Sequence, residues 1–125
     1  LRHTPGHVID VVPTILEAVG GKPFETVAGQ AVPPAPGKSL MPVFLKDGAR
    51  LHDSLWWLHE DNRAFRVADW KIVAAGTDRP WELYDLSSDR AESKNLARGM
   101  PDKVKELASQ WERKTEEFRV LAAEN

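Results

Sequence analysis

A tryptophan-rich block between Ser54 and Leu86 constrains the fold of this chain more than any other feature. Four of the five tryptophans and the single tyrosine lie inside it. The block is made of short apolar runs, several of which alternate with polar residues, separated by brief polar breaks. Alternation with a period of two is typical of half-buried strands. The block therefore predicts a small antiparallel sheet of three to four strands.

The predicted strands cover residues 54–58, 63–67, 70–74 and 81–85. In the second of them, Phe65 and Val67 share one face, and Arg66 lies on the other. The break at Ala68-Asp69 leaves room only for a tight hairpin. Two-residue hairpin turns usually contain Gly, Asn or Asp at positive φ, so alanine is unexpected there.

The segment from Pro101 to about Ala122 is predicted to be an amphipathic helix. Its apolar stripe at helical spacing consists of Val104, Leu107, Ala108, Trp111, Thr115, Phe118, Leu121 and Ala122. Pro101 suits the first helical position, and Asp102 suits the positive end of the helix dipole. Because the helix is apolar on one side and follows a sheet, we expect it to pack across one sheet face.

The first fifty residues predict a different organisation. Apolar residues at spacings of three and four predict a short helix over 8–19, which Asp10 would cap and which Gly20-Gly21 would end. Residues 20–50 contain five of the nine prolines and five of the eight glycines, which indicates an extended arm. The predicted class is α+β: a small antiparallel sheet packed by a C-terminal amphipathic helix, with a short N-terminal helix and a Pro-rich arm.

The composition excludes several classes of function. The net charge of -2 is too close to neutral to suggest a nucleic-acid or membrane-surface partner. No apolar run approaches the roughly 20 residues that span a bilayer. There are no cysteines, so disulfides and thiolate metal sites are ruled out.

Motifs that would carry chemistry within the chain are missing or incomplete. His59-Glu60 begins like a zinc-protease helix, but Arg63 stands where the second histidine is needed. Asp85, Asp89 and Glu92 lack the EF-hand pattern. The Asp and Ser side chains between Asp85 and Asp89 are better explained by turns, in which they bind nearby backbone amides. There is no phosphate loop and no nucleophile elbow. We therefore predict no catalytic residue and no metal ligand here.

The best candidate for binding is the polar segment between the first two predicted strands. It contains His59, Asn62 and Arg63. Residues that determine specificity concentrate at sheet ends, and Arg and His can hold an anionic oxygen. The alternative is a solvated turn whose charges have no role.

Four segments carry a further set of patterns. A His-x-x-Asp-x-x-Pro-Thr helix start that ends in glycine is present at His7, Asp10, Pro13, Thr14 and Gly20. A Gly-x-Ser-Leu pattern is present at Gly37, Ser39 and Leu40. A pattern of the form Arg-Ala-x-Arg-x-x-Asp-Trp-Lys is present at Arg63, Ala64, Arg66, Asp69, Trp70 and Lys71. The last pattern, Tyr-Asp-Leu-x-x-Asp-x-x-Glu-x-x-Asn-Leu, is present at Tyr84, Asp85, Leu86, Asp89, Glu92, Asn95 and Leu96. In this order they resemble the C-terminal portion of type I, arylsulfatase-like sulfatases of the alkaline phosphatase superfamily. Ala68 and Arg90 depart from the family, which often has glycine and proline there.

This resemblance implies a division of the chain and an activity. Residues 1–50 would be the end of the catalytic-domain region, and residues 51–125 the C-terminal subdomain. The parent enzyme would hydrolyse sulfate esters with a formylglycine made from Cys/Ser-x-Pro-x-Arg and with Ca²⁺ or Mg²⁺. No serine here is followed by x-Pro-x-Arg. The chain alone would therefore be inactive, and its partners would be the missing N-terminal catalytic domain and, in the parent enzyme, a sulfate ester.

The resemblance also gives the polar segment a role and leaves alternatives open. Family subdomains of this kind can contribute to the rim of the substrate pocket, so His59, Asn62 and Arg63 would face the substrate. One alternative is a fragment of a related phosphodiesterase or phosphonate hydrolase. Another is a stand-alone carbohydrate-binding module that stacks Trp56 or Trp57 on sugars. The sequence itself names no compartment, and the resemblance would fit a periplasmic or secreted protein.

Overall fold

A computed structural model describes residues 2–33 and 35–123 of the protein. Its internal contacts divide the chain into two compact units, Leu1–His52 and Asp53–Asn125. The architecture is α+β, with a two-stranded and a four-stranded antiparallel sheet. The predicted fold class is confirmed.

The first unit opens with the predicted helix. A 3₁₀ turn, Val8–Asp10, leads into helix α1, Val11–Ala18. The tighter first turn begins at a capping box, in which the backbone N–H of His7 donates to the Asp10 carboxylate. Gly20 then takes a left-handed conformation at φ 70°, which ends the helix as predicted.

The arm contains a short hairpin and a short helix that the sequence did not predict. Strands β1, Thr26–Val27, and β2, Gln30–Ala31, form a hairpin whose turn includes Gly29 at φ 82°. Helix α2, Met41–Leu45, follows later. Residues 35–40, which precede it, form no regular element, as predicted for this proline-rich stretch.

The second unit contains the predicted four-stranded sheet. Its strands are β3, Leu55–His59; β4, Asn62–Val67; β5, Trp70–Ala74; and β6, Glu82–Asp85. They pair antiparallel in the order β3-β4-β5-β6. All four predicted strands are confirmed, with their ends within one residue of those predicted.

Two-residue turns connect the first three of these strands. Val67 pairs with Trp70 across Ala68-Asp69, so the tight hairpin is confirmed. Ala68 adopts the required left-handed backbone at φ 51°, and the Arg66 side chain donates to its carbonyl oxygen at 2.7 Å. The polar segment between β3 and β4 is likewise a two-residue turn and not a longer loop. His59 and Asn62 pair as strand residues, and only the two residues between them turn.

Helix α3, Pro101–Ala123, packs on one face of the sheet. The core consists of Phe65, Ile72, Leu83 and Leu107, all at most 2% exposed. Trp56 lies beside this core, where its indole N–H donates to the buried Thr115 hydroxyl at 2.9 Å. The predicted helix and its apolar stripe are confirmed as far as Phe118, whose ring centroid lies 4.9 Å from that of Trp56. Across residues 2–33 and 35–123, no helix has the length and apolar character needed to cross a membrane.

Candidate functional site

The sheet face opposite α3 carries an open hollow of about 240 Å³. Its lining consists of Trp57, His59, Asn62, Arg63, Ala64, Lys71, Val73, Ala74, Ala75 and Glu92. Strand register explains most of this set. Trp57, Ala64 and Val73 are neighbours across three strands, and the His59–Asn62 pair lies beyond them at the hairpin end. Side chains alternate along a strand, so these residues project away from the core formed with α3.

The hollow combines an apolar floor with a polar end. Trp57, Ala64 and Val73 are half-buried, whereas His59 and Asn62 are exposed. A solvated face of an antiparallel sheet usually carries polar residues at such central positions. Apolar surface beside a few polar groups is instead characteristic of sites that bind a ligand.

Arg63 also borders the hollow, but its side chain alternates with that of Ala64, so its guanidinium group lies on the α3 side of the sheet, 6.0 Å from the centre of the Trp111 ring. It donates to the carbonyl oxygens of Thr77 at 2.9 Å and Arg79 at 3.1 Å. The group also lies 4.7 Å from the centre of the Trp81 ring, a cation–π distance. The structure therefore brings the exposed side chains of His59 and Asn62 to one hairpin end, whereas the Arg63 side chain lies on the other sheet face and anchors the β5–β6 connection.

An ion pair that the sequence analysis missed borders the hollow. Lys71 Nζ donates to Glu92 Oε1, and both side chains are half-buried. The two residues lie in separate family-like segments, 21 positions apart, and that joint occurrence was the available signal. On the same sheet face, the Tyr84 hydroxyl donates to Glu82 at 2.6 Å. This hydrogen bond, together with burial, raises the pKa of Tyr84 to about 12.

The side chains of Asp85 and Asp89, at and after the end of β6, take part in turns, as predicted. Asp85 accepts from the hydroxyl and the amide of Ser87, and these bonds lower its pKa. Asp89 accepts from the amides of Lys94 and Ser93, both at 2.9 Å, and its pKa is lowered in turn. These carboxylates therefore have local structural roles.

The described part of the chain does not fit a cation site. It contains no cluster of three or more His, Asp or Glu side chains that could hold a metal ion. Ca²⁺ and Mg²⁺ need several oxygen ligands around one point. No residue described here is therefore assigned to the cation that the family resemblance implies.

Outside the hollow, His3 binds Asp47 at 2.8 Å, and its hydrogen bonds lower the pKa of Asp47 to about 2.

A buried carboxylate in the first unit is the second feature that the sequence analysis missed. Asp10 is fully buried and accepts from the backbone amides of His7 and Lys38, both at 2.8 Å. Nε2 of His52 lies 2.9 Å from its Oδ1. Burial alone would raise the pKa of Asp10, but the two amides and the imidazole together lower it. Because an ionised carboxylate only accepts, the facing imidazole nitrogen is the donor.

Neighbouring motif residues extend this network to the arm. The Thr14 hydroxyl donates to the Asp10 carbonyl oxygen at 2.6 Å and accepts from the Leu40 amide at 2.8 Å. A Cβ added at Gly37 would lie 2.0 Å from the carbonyl oxygen of Ile9, so only glycine fits there. The first two family-like segments therefore meet in space and attach the helix to the arm.

The chain is similar to known proteins in both sequence and structure. An uncharacterized sulfatase of Schizosaccharomyces pombe is 36% identical over 111 residues, which are 83% of this chain and 20% of that protein. The chain is a sulfatase homologue. The N-acetylgalactosamine-6-O-sulfatase of Bacteroides thetaiotaomicron is 38% identical over 53 residues, which are 42% of this chain and 10% of that protein. No protein-family model matches the chain.

The fold also agrees with that of solved structures. The crystal structure of Ps i-CgsB in complex with k-i-k-neocarrahexaose superposes with a TM-score of 0.63 at 19% identity, over 88% of this chain and 24% of that one. The chain spans only a tenth to a quarter of the length of the proteins that it matches. It corresponds to a C-terminal portion of a sulfatase, as the sequence resemblance predicts.

Proposed function

We propose that this chain is the C-terminal part of an enzyme that hydrolyses sulfate esters. The 36% identity to a sulfatase over most of the chain is the observation that carries the proposal. The formylglycine nucleophile and its Ca²⁺ or Mg²⁺ belong to the part of the polypeptide outside this sequence. The formylglycine would supply the nucleophile that attacks sulfur, and the cation would stabilise the charge that develops. The 125 residues alone would be inactive.

The internal division of the chain is part of this proposal. Residues 1–50 are the end of the catalytic-domain region, and residues 51–125 are the C-terminal subdomain. The boundary between the two compact units, at His52 and Asp53, supports this assignment. The buried Asp10 then has a structural role at the edge of the catalytic domain, because its oxygens already bind two amides and an imidazole.

His59 and Asn62 are proposed as the residues that contact the substrate. Both are exposed at the polar end of the hollow, and both carry groups that can donate to a sulfate or hydroxyl oxygen. Arg63 is proposed as a positioning residue, because its guanidinium holds the neighbouring connection in place. The Glu92 charge in the hollow is compensated by Lys71, so an anionic substrate would not face a bare carboxylate.

Sulfated saccharides are the substrate class that we propose. The indole of Trp57 lines the floor of the hollow and offers a flat apolar surface for a sugar ring. The names of two similar proteins also support a saccharide substrate: one is named an N-acetylgalactosamine-6-O-sulfatase, and the other was crystallised with a neocarrahexaose.

The test is His59→Ala and Asn62→Ala in the full-length enzyme, assayed on several sulfate esters. We expect a raised KM or an altered preference among the esters, since these residues bind substrate without taking part in the chemistry. Glu112→Ala, an exposed position on α3, is the matched control and should change neither. Unchanged kinetics of both variants across all esters would refute the assignment. Faster turnover of phosphate diesters or phosphonates than of sulfate esters would favour the related hydrolase instead.

A carbohydrate-binding module is the second candidate, and the position of Trp57 in the hollow is the observation that favours it. Trp56 does not support it, because its ring stacks on Trp111 at a centroid distance of 6.2 Å and is packed against the α3 core. Titration with sulfated and unsulfated glycans, followed by tryptophan fluorescence, separates the two candidates. Binding by a polypeptide that lacks sulfatase activity would favour the module.

A further inference from the structure

The Lys71–Glu92 ion pair lies at the end of the hollow that is away from the proposed substrate contacts. Lys71 pairs with Arg66, which is four residues along β4 from Asn62. At the rise of a β-strand, the two ends of the hollow are therefore about 13 Å apart. The hollow is longer than one sugar ring, and the second end has no assigned ligand.

The ion pair has hydrogen-bonding groups that the chain leaves unused. Lys71 Nζ donates to Glu92 Oε1, and the two side chains are 23% and 30% exposed. An ammonium group has three N–H donors, and a carboxylate accepts at both oxygens. Within residues 2–33 and 35–123, neither group makes another hydrogen bond. Two donors of Lys71 and the second oxygen of Glu92 are therefore available at the border of the hollow.

The Glu92 side chain is held at this place by the turn that precedes it. The backbone of Glu92 is left-handed at φ 54°, which is unfavourable for a residue other than glycine. The Asp89 carboxylate stabilises the turn, because it accepts from the amides of Ser93 and Lys94 at 2.9 Å. Strained backbone of this kind persists only where surrounding contacts impose it, often beside a binding site. The turn therefore fixes the carboxylate against Lys71 before a ligand arrives.

We propose that the Lys71–Glu92 pair binds the hydroxyl groups of an uncharged sugar ring that neighbours the sulfated ring of the substrate. The inference rests on the proposed function, because it deepens the assignment of this hollow to saccharides. A sugar hydroxyl both donates and accepts, so it donates to Glu92 while it accepts from Lys71. The floor between the two ends is apolar and suits the C–H face of a sugar ring. It is formed by Trp57, Ala64 and Val73.

The charges on this sheet face favour an uncharged ring. Glu82 and Glu92 offset the cations of Lys71 and Arg66, so the four side chains together carry no net charge. A second sulfate would be attracted by Lys71 and repelled by Glu92, whereas a hydroxyl group gains from both. The preferred substrate is therefore an oligosaccharide in which an unsulfated ring adjoins the sulfated one. An aryl sulfate has no such ring and does not reach the pair.

The test compares two kinds of ester in the natural full-length polypeptide: para-nitrophenyl sulfate, and the monosulfated isomers of lactose and N-acetyllactosamine. In Glu92→Gln, we expect the KM for the disaccharide esters to rise about fivefold or more, because a hydrogen bond to a charged group is lost. Turnover should change less than twofold, and the KM for the aryl sulfate should stay the same, because the pair contacts only the second ring. Lys71→Met should give the same pattern, so a folding defect in one variant does not decide the outcome.

The matched controls come from an ion pair of the same kind on α3. Lys103 binds Glu106 at 2.9 Å outside the hollow, and neither Lys103→Met nor Glu106→Gln should change any of these constants. In the wild type, methylation of the hydroxyls on the unsulfated ring should raise the KM as much as Glu92→Gln does. In Glu92→Gln, the same methylation should have less than a twofold effect. Equal effects of methylation in the two proteins would overturn the proposal.

Calorimetric titration with unsulfated lactose and N-acetyllactosamine separates this proposal from the proposed function. Binding that both variants weaken, in a polypeptide that hydrolyses no sulfate ester, would support the sugar site and refute the sulfatase assignment. Hydrolysis of sulfate esters with unchanged constants in both variants would overturn the sugar site and leave the sulfatase assignment intact. Failure of every disaccharide to bind the wild type would also overturn the site.

Discussion

Replacement of Asp10 by alanine should detach the N-terminal helix from the arm and leave the sheet unit folded. The carboxylate accepts from two backbone amides at 2.8 Å and from His52 at 2.9 Å. Each buried donor left without an acceptor costs about 1–3 kcal/mol. Asp10→Ala leaves three such donors, so we expect it to destabilise the unit Leu1–His52 by about 3 kcal/mol or more.

Amide hydrogen exchange measures this change locally. Because a factor of ten corresponds to about 1.4 kcal/mol, protection of the Lys38 and Leu40 amides should fall by roughly 100-fold or more, or be lost entirely. All five tryptophans lie in residues 53–125, so their fluorescence reports the other unit and should not change. Asp47→Ala removes an exposed carboxylate and is the matched control, for which protection should be retained.

The same residue predicts an acid dependence. The folded-state pKa of Asp10 lies below 3.8, so its stabilising effect is present above that pH and is lost as the pH falls through the folded value. Wild-type protection at Lys38 should therefore decrease below pH 3.8, whereas Asp10→Asn should show a weaker dependence there. Exchange at Lys38 that differs less than threefold between wild type and Asp10→Ala would refute the role assigned to this carboxylate.

Three further predictions concern the turns, the arm and the single tyrosine. Ala68→Gly should stabilise the chain by about 0.5–1 kcal/mol in urea unfolding, because glycine relieves the strain at φ 51°. The control Ala64→Gly, within a strand, should destabilise the chain. A destabilising effect of Ala68→Gly would contradict this explanation. Gly37→Ala should abolish amide protection in the arm, since its Cβ would clash with backbone, and retained protection would show that the arm can shift. Absorbance titration of Tyr84 should give a midpoint near pH 12, and the stability that the neutral phenol contributes should be lost as the pH rises from 10 through 12. Glu82→Gln should lower that midpoint, and an unchanged midpoint would exclude Glu82 as the cause.

Periodic patterns predicted the sheet and the long helix because their packing follows from the order of residues along each element. Phe65 and Ile72 lie on the core face as alternation requires, and Leu107 meets them from α3. The tight turn at Ala68 was predicted from its length alone. The left-handed alanine followed from register, since strand pairing on both sides leaves two residues to reverse the chain.

The contacts that the sequence did not predict join residues far apart along the chain. His52 reaches Asp10 across 42 positions, and no local pattern encodes that pairing. Lys71 and Glu92 form the same kind of long-range pair. The short hairpin in the arm had a local signal in Gly29, but two-residue strands carry too little alternation to be recognised. Which side chains face the substrate depends on surfaces outside these 125 residues, so periodicity could not predict it.

The most direct test of the central claim is to read the coding sequence immediately upstream of Leu1 in the natural gene. The claim that this chain is the C-terminal part of a sulfate-ester hydrolase predicts an in-frame catalytic region with Cys/Ser-x-Pro-x-Arg and clustered Asp and Asn residues. A start codon at this point, or an unrelated domain in frame, would contradict it.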